Sequence, residues 1–386
     1  MHSYRRRAFF NRRNEPEGAP FIAVFDTTKA GSASDTLVLP ITDGVAPNYT
    51  VDWGDGNVTN NISTHTYDVG GEYTVKLLGD YDYFRFAGGG DRQKISDIQQ
   101  FGDLRLAATT NSNSGAFKGC VNLDITATDV PNLPAELAGF FRDCSSLVFN
   151  NSINSWITSS VSNITEFFVN CSLFNQDISG WDITGCDSLL NLFKGASVFN
   201  QNINSWNTAS ITYMGGCFSG AMNFNQPLYN WNVSNVTDMR GMFLAALNFN
   251  QDITGWDVSS VQYFGASNNG MFYNADAFNQ AIGVWNTSSA KSFQQMFRSA
   301  NSFDQDLSNW VITNLTGTNC LEAFLFQASL NTANYDALLI SWESQGPGTG
   351  FNANFGNSQY SALGETARSN LISTYGWTIN DGGLAA

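Results

Sequence analysis

Five aspartates recur at matched places in one long stretch of the chain: Asp177, Asp182, Asp252, Asp257 and Asp306. Two carboxylates held about 5–9.5 Å apart on a groove are the machinery of glycan hydrolysis, so these are the first candidates for chemistry. Their own columns argue against it. In line with Asp177, Asp252 and Asp306 stand Asn202, Pro227 and Ala281, and in line with Asp182 and Asp257 stand Asn207, Asn232 and Asn286. Such mixing describes a solvated repeat surface. His65 is the one histidine besides His2, and a fixed place in a His-Thr-Tyr strand suits it better than a role as ligand or base. Six cysteines are present, but without the C-x-x-C spacing of a metal site. The "GGG" at 88–90 lacks the Lys-Ser/Thr of a phosphate loop. No catalytic, metal or cofactor-binding residue is expected, and the chain is not expected to be an enzyme.

What positions these residues is a repeat. Seven tryptophans, Trp156, Trp181, Trp206, Trp231, Trp256, Trp285 and Trp310, follow one another in steps of 25, 25, 25, 25, 29 and 25. An insertion within "GASNNG" (265–270) explains the longer step. A period of this size fits the coil of a solenoid of leucine-rich-repeat dimensions, since propeller blades need about 40 residues or more. Other columns keep the phase. Phe168, Phe193, Phe218, Phe243, Phe272 and Phe297 are each followed three positions later by a small residue, Cys171, Ala196, Ala221, Ala246, Ala275 or Ala300. A second phenylalanine column runs from Phe174 to Phe303, and an asparagine column from Asn175 to Asn279 ends at Asp304.

Each column has a structural duty. Coils stacked at the strand spacing of about 4.8 Å place the tryptophans in a buried ladder, each ring burying about 150–250 Å². That is worth at most about 4–6 kcal/mol per coil. The small column lets turns pack closely, and the asparagine amides can bond neighbouring backbone. Cys120 and Cys144 fall in the same small column as Cys171 and Ala196, so they are expected to be packed free thiols.

Composition agrees. Of 386 residues 42% are apolar, enough for a sizeable core, and 13% are charged, about half the usual share. The net charge of −15 disfavours nucleic acid and anionic lipid as partners. Positions 1–20 carry five arginines against two glutamates, and positions 21–386 carry 13 basic and 31 acidic side chains. A basic arm on an acidic body implies a docking partner for the arm. No apolar run is long enough to suggest a membrane span, and no apolar core of a secretory leader follows the arginines.

The motifs carry two resemblances. "AFKGCVNL" (116–123) and "FRDCSSL" (141–147), with the MF..A..FNQ.I..W.VS.VT.M pattern downstream, resemble the BspA-type leucine-rich repeat of bacterial surface proteins over about 95–330. "YTVDWGDGN" followed by "THTYDVGGEYTVKL" resembles a PKD-type β-sandwich. "FRFAGGGDRQKISDIQQFGDL" (84–104) looks like the junction between the two. "TANYDALLISWESQ" and "SALGETARSNLISTYG" read as helices from their 3–4 spacing, with Gly376 ending the second and "GWTINDGG" as a closing strand. This block resembles the terminal cap of the same surface proteins.

The expected fold is mainly β with short helical turns: a basic arm (1–20), a PKD-like β-sandwich (21–80), a leucine-rich-repeat-like parallel β-solenoid (81–330) and a helical C-terminal cap (331–386). The resemblance implies non-catalytic attachment. A phage virion protein is the expected setting, on capsid or tail, docked on other virion structural proteins through Arg5, Arg6, Arg7, Phe9, Phe10, Arg12 and Arg13. The solenoid would meet a host surface protein or glycan, with Tyr213, Tyr263 and Tyr273 as exposed rings for stacking on sugar. Self-association is left open, and neither membrane insertion nor nucleic-acid binding is expected. The alternatives are an exported bacterial cell-surface adhesin and, behind it, a polysaccharide depolymerase.

Overall fold

The computed structural model describes residues 18–149 and 151–386. The anchors named above, Arg5, Arg6, Arg7, Phe9, Phe10, Arg12 and Arg13, lie outside the described residues. The chain is mainly β with few helices and forms no closed barrel.

The N-terminal strands are β1 (Phe21–Asp26), β2 (Thr36–Val38), β3 (Ile41–Thr42), β4 (Asn48–Asp52), β5 (Val58–Asn60), β6 (Thr64–Thr66), β7 (Glu72–Asp80), β8 (Tyr83–Phe84), β9 (Ile95–Gln100) and β10 (Asp124–Ile125). Alternation sets their faces: Phe21, Ala23 and Phe25 of β1 are buried, while Ile22, Val24 and Asp26 are half-buried. Six strands form one sheet in the order β10-β9-β1-β7-β4-β5. The pairs β2–β6 and β3–β8 add Leu37 and Phe84 to the core that holds Trp53, Tyr49 and Leu77.

Two polar devices hold this region. The Lys94 ammonium is fully buried and donates to the carbonyls of Ala33 and Thr36 at 2.8 and 2.7 Å and to the Ser32 hydroxyl at 3.0 Å. Asp91, also buried, accepts from the Ser32 and Val38 amides. His65 of β6 reaches the "WGDG" turn: it stacks on Trp53 with ring centroids 5.1 Å apart, and its Nε2 lies 2.7 Å from Asp55 Oδ2. Partial burial works against the Asp55 charge, but bonds from His65 and Asn57 outweigh it and hold the carboxyl down at about 2.

The segment 84–104 does more than link. Its strand β9 pairs antiparallel with β1 on one side and parallel with β10 on the other. The N-terminal sheet therefore passes directly into the stacked coils, where every pairing is parallel.

In the coils the parallel ladder is reduced to single bridges, Ser188 to Tyr213, Tyr213 to Asp238 and Asp238 to Tyr263, until β11 (Tyr263–Gly265) meets β12 (Ser292–Phe293). The reason is backbone conformation. Five of these coils take the left-handed region at two residues four apart: Glu166 and Asn170, Asn191 and Gly195, Gly216 and Gly220, Gly241 and Ala245, Gln295 and Ser299; the coil with the insertion has Asn268 and Asn274 in that region instead. The chain curls into turns, yet its amides still reach the next coil at every second residue. Leu189, Asn191, Phe193 and Gly195 donate to the carbonyls of Tyr213, Gly215, Cys217 and Ser219 at 2.7–2.9 Å. The intervening amides of Leu192, Lys194 and Ala196 donate three positions back within their own turn.

Inside, the columns stack. The first phenylalanine column from Phe168 to Phe297 has ring centroids 5.6–5.8 Å apart, and the second 5.9–6.0 Å. Trp206–Trp231 and Trp285–Trp310 are 6.4 Å apart with nearly parallel rings. These spacings exceed the strand spacing of about 4.8 Å, because the rings lean into offset stacking. All seven indoles are buried, and from Trp181 onward each Nε1 donates to an Ile or Leu carbonyl of the preceding coil at 2.9–3.1 Å. Each asparagine of the polar column accepts, through Oδ1, the next coil's backbone amide and glutamine side chain; at Asn225 these come from Asn250 N at 3.0 Å and Gln251 Nε2 at 2.9 Å. The six cysteines are buried and free, and Cys144 and Cys171 each donate to the carbonyl of a preceding coil's phenylalanine at 3.0 Å.

Beyond the tryptophans come α1 (Thr332–Ser344), β13 (Asn352–Asn354), α2 (Glu365–Ser373) and β14 (Thr378–Asn380). Asn331 caps α1 by accepting from the Asn334 amide. Gly376, in the left-handed region, follows α2 and donates to the Ile372 carbonyl. Leu321 bridges in parallel to Ala353, and β13 pairs in parallel with β14. The stack thus gains two further rungs, with helices in place of the tryptophan turns.

Two predictions follow from these contacts. Trp231→Ala is expected to destabilise the chain by about 3–5 kcal/mol, and Trp231→Phe by less, since it keeps most of the ring and loses the bond to the Ile203 carbonyl. Thermal and urea melts of both variants check this; an unchanged melt for the alanine variant contradicts the ladder. The lowered Asp55 pKa means the folded state binds its proton less readily than the unfolded chain. Its contribution is whole above the ordinary carboxylate value near 4 and disappears as pH falls through about 2. Asp55→Asn should flatten the stability profile between pH 4 and pH 2; a profile as steep as the parent's rules the pair out as its source.

Candidate functional site

The five aspartates do not converge. All are exposed, and each closes its own loop: Asp177, Asp182, Asp252, Asp257 and Asp306 accept, at 2.8–3.0 Å, the backbone amide two positions on. Asn202, Asn207, Asn232 and Asn286 do the same from the same columns. A side-chain carbonyl serves this turn as well as a carboxylate, which is why Asp and Asn exchange. Hydroxyl and amide donors from Thr184, Thr254 and Ser259 hold Asp182, Asp252 and Asp257 below the usual carboxylate range. A general acid for glycoside cleavage needs the opposite shift.

The bridge face of the coils has a different character. The stretch 151–330 contains four basic side chains, Lys194, Arg240, Lys291 and Arg298, against eleven acidic ones. Three of the four line hollows on this one face: Lys194 and Arg240 a hollow of about 300 Å³, and Arg298 one of about 410 Å³. The tyrosines gather here too. Tyr213 and Tyr263 are 37% and 40% exposed and flank Asp238 through the parallel bridges, while Tyr273 is half-buried.

The first hollow is built around a charge pair. Asp238 is buried on an otherwise open face. Arg240, two positions on, forks onto it, with Nε at 3.1 and 2.9 Å from the two oxygens and Nη2 at 2.5 Å from Oδ2. That bond holds the guanidinium, raised further above its ordinary pKa by the carboxylate, over the Tyr263 ring at 5.3 Å and within 3.5 Å of the Tyr213 hydroxyl. Cation, ring and hydroxyl are thereby held in a fixed arrangement.

The insertion lands on the same face. Asn268 and Asn269 line this hollow, and the Asn268 amide donates to Gln295 Oε1 at 3.0 Å. Asn269 folds against Gly241, where a Cβ would meet its Oδ1 at 1.9 Å. Gly241 is also in the left-handed region at φ +62°, so a side chain there would be strained and would displace the Asn269 amide. The phenylalanine ladder runs through the insertion unbroken, Phe243 to Phe272 at 5.7 Å.

Sequence reading singled out Tyr213, Tyr263 and Tyr273, and they share this face. It missed Lys194, Arg240, Arg298 and the insertion asparagines. The available signal was the scarcity of cations in the repeats and the close spacing of Asp238 and Arg240. Among the described residues no group of His, Cys, Asp or Glu is arranged to hold a metal ion, and no helix is long and apolar enough to cross a membrane.

No curated protein matches the chain. A family model described as "Mycoplasma protein of unknown function, DUF285" matches residues 111–209, 181–268 and 265–343, overlapping spans that cover the tryptophan coils and more than half of the chain. The chain belongs to the DUF285 family of repeat proteins.

Proposed function

We propose that this is a non-catalytic attachment protein, in which a PKD-like β-sandwich carries a leucine-rich-repeat-like β-solenoid whose bridge face binds a surface glycan. The observation that carries this is the segregation of charge. In an acidic repeat region, three of four cations lie with exposed tyrosines on one face, beside the one insertion. Insertions in repeat arrays gather on the binding side. The aspartates, spent on loop closure, support attachment without cleavage.

The setting we propose is a phage virion, with residues 1–20 docked on a neighbouring structural protein. The motive is the contrast of five arginines there with the acidic remainder; arginine forks suit carboxylates on a partner. The family description names Mycoplasma, and this favours a second reading, display on a bacterial cell surface.

Binding and cleavage separate in one experiment. The purified chain, incubated with a panel of bacterial surface polysaccharides, is expected to bind at least one saturably and release no oligosaccharide. Lys194→Glu, at an exposed site, should weaken binding without shifting the melt. Oligosaccharide release abolished by Asp252→Asn would move the protein to the depolymerases. Gold-labelled antibody distinguishes the settings: label on particles, lost on deleting residues 1–20, supports the virion, and label on cells alone supports the adhesin.

A further inference from the structure

The hollow of about 410 Å³ lies where the coils give way to the helical end, within the range of small-ligand sites, about 300–1,000 Å³. Four successive rungs contribute: Arg298, then Glu322 and Phe326, then Asn352, then Thr378 and Asn380. Arg298 is its unusual member. The guanidinium carbon lies 4.9 Å from the ring centre of Tyr273 and 5.3 Å from that of Phe326. Its Nε is buried and has no hydrogen-bond partner. Among the described residues no carboxylate lies within ion-pair distance of it, whereas Arg142, Arg240 and Arg368 each hold one. An arginine clamped by rings beside a cavity, with its charge uncompensated, has already met the ordering cost of binding an anion.

We propose that this hollow binds a carboxylate-bearing sugar of an acidic glycan, with Arg298 as the anchor for the carboxylate. The inference rests on the attachment reading and names the chemical class of its ligand. Three features choose the class. The guanidinium fork matches a planar carboxylate. Glu322, on the same rim, opposes a doubly charged phosphate more than a singly charged group, and its oxygens, of which Oε2 already accepts from Gln294 at 2.7 Å, can accept sugar hydroxyls. Asn352, Asn380 and Thr378 supply donors and acceptors for further hydroxyls, and Phe326, 38% exposed, offers apolar surface to a sugar's C–H face. Amide, hydroxyl and one aromatic around a fixed cation form a saccharide lining rather than a bare anion site.

The test is calorimetric titration of the full chain with a glucuronic-acid oligosaccharide and its carboxyl-reduced, neutral counterpart. The acidic form is expected to bind about ten-fold or more tighter, the scale of one charge-assisted bond. Arg298→Met should remove that preference, and Arg298→Lys should restore only part of it, since an ammonium keeps the charge without the fork. Melts of both variants establish that they fold. The two-ligand comparison on the parent chain stands by itself if they do not. Equal affinity for the two oligosaccharides, or for sulfate alone, overturns the proposal while leaving attachment intact. So does a preference that survives Arg298→Met. Failure of both oligosaccharides, with continued binding of surface polysaccharide, overturns the hollow alone; failure of every glycan overturns the attachment reading with it.

Discussion

The structure depends on how the coils divide their backbone amides. In each turn alternate N–H groups leave for the next coil and the others stay within their own turn, as Asn191 and Phe193 do against Leu192 and Lys194. A buried amide without a partner costs on the order of 1–3 kcal/mol, so a turn packed against turns on both sides has few arrangements open to it. This one satisfies both sets, but only if the chain curls tightly enough for three-residue bonds while keeping parallel contact. The paired left-handed residues, Gly216 with Gly220 or Asn191 with Gly195, make that curl, and glycine and asparagine adopt the conformation at least strain. A one-residue slip would break every bond to the neighbouring coil together. The same slip would bring polar residues to the phenylalanine columns, so the ladder and the amide pattern enforce a single register.

That constraint sorts the side chains. Positions facing inward take Phe, Trp, Met and small residues, and their rings stack only because each coil repeats the last. Loop positions must close backbone turns, which Asp and Asn do equally well, so acidic residues accumulate there without converging on anything. The bridge face is released from both duties. One of its columns reads Lys194, Ser219, Leu244, Tyr273, Arg298, and another reads Leu190, Gly215, Arg240, Gly265. A column that changes chemistry from coil to coil is not needed for the repeat. Cations and rings gathered from such columns onto one face are set by no demand of the repeat, and this is the ground for the attachment reading proposed above.

Much of the architecture was legible in the sequence because the repeat writes it many times. Seven tryptophans and two phenylalanine columns give the period, and their shared phase gives the stacking. The bonds from Trp Nε1 to the preceding coil were not legible, since a buried indole announces that it needs an acceptor but not which carbonyl supplies it. The left-handed positions were hidden for another reason: glutamate, alanine, serine and glutamine share them with glycine and asparagine, which blurs the column. The junction was legible as a segment but its double pairing was not, because β9 reads as an ordinary strand and nothing local says that it pairs with β1 on one side and β10 on the other. The candidate face was half legible. Exposed tyrosines stand out as exceptions in a periodic sequence, but the role of Arg240 depends on Asp238 being buried, a fact of packing.

Both ends of the stack address one physical problem. Stacked coils present unpaired amides and carbonyls at each terminus, an invitation to edge-to-edge association. At the start β9 converts antiparallel pairing with β1 into parallel pairing with β10, so the first coil inherits a finished sheet. At the finish β13 and β14 continue the parallel rungs while α1 and α2 replace the tryptophan turns. The replacement changes what the rungs display. Asn352, Asn354 and Asn380 alternate with inward residues in short strands and stand beside the last repeat cation, Arg298. The larger of the two hollows therefore lies where the repeat gives way to a different rung. The identical-coil rule is relaxed there, and a site can be assembled from residues that no ladder requires.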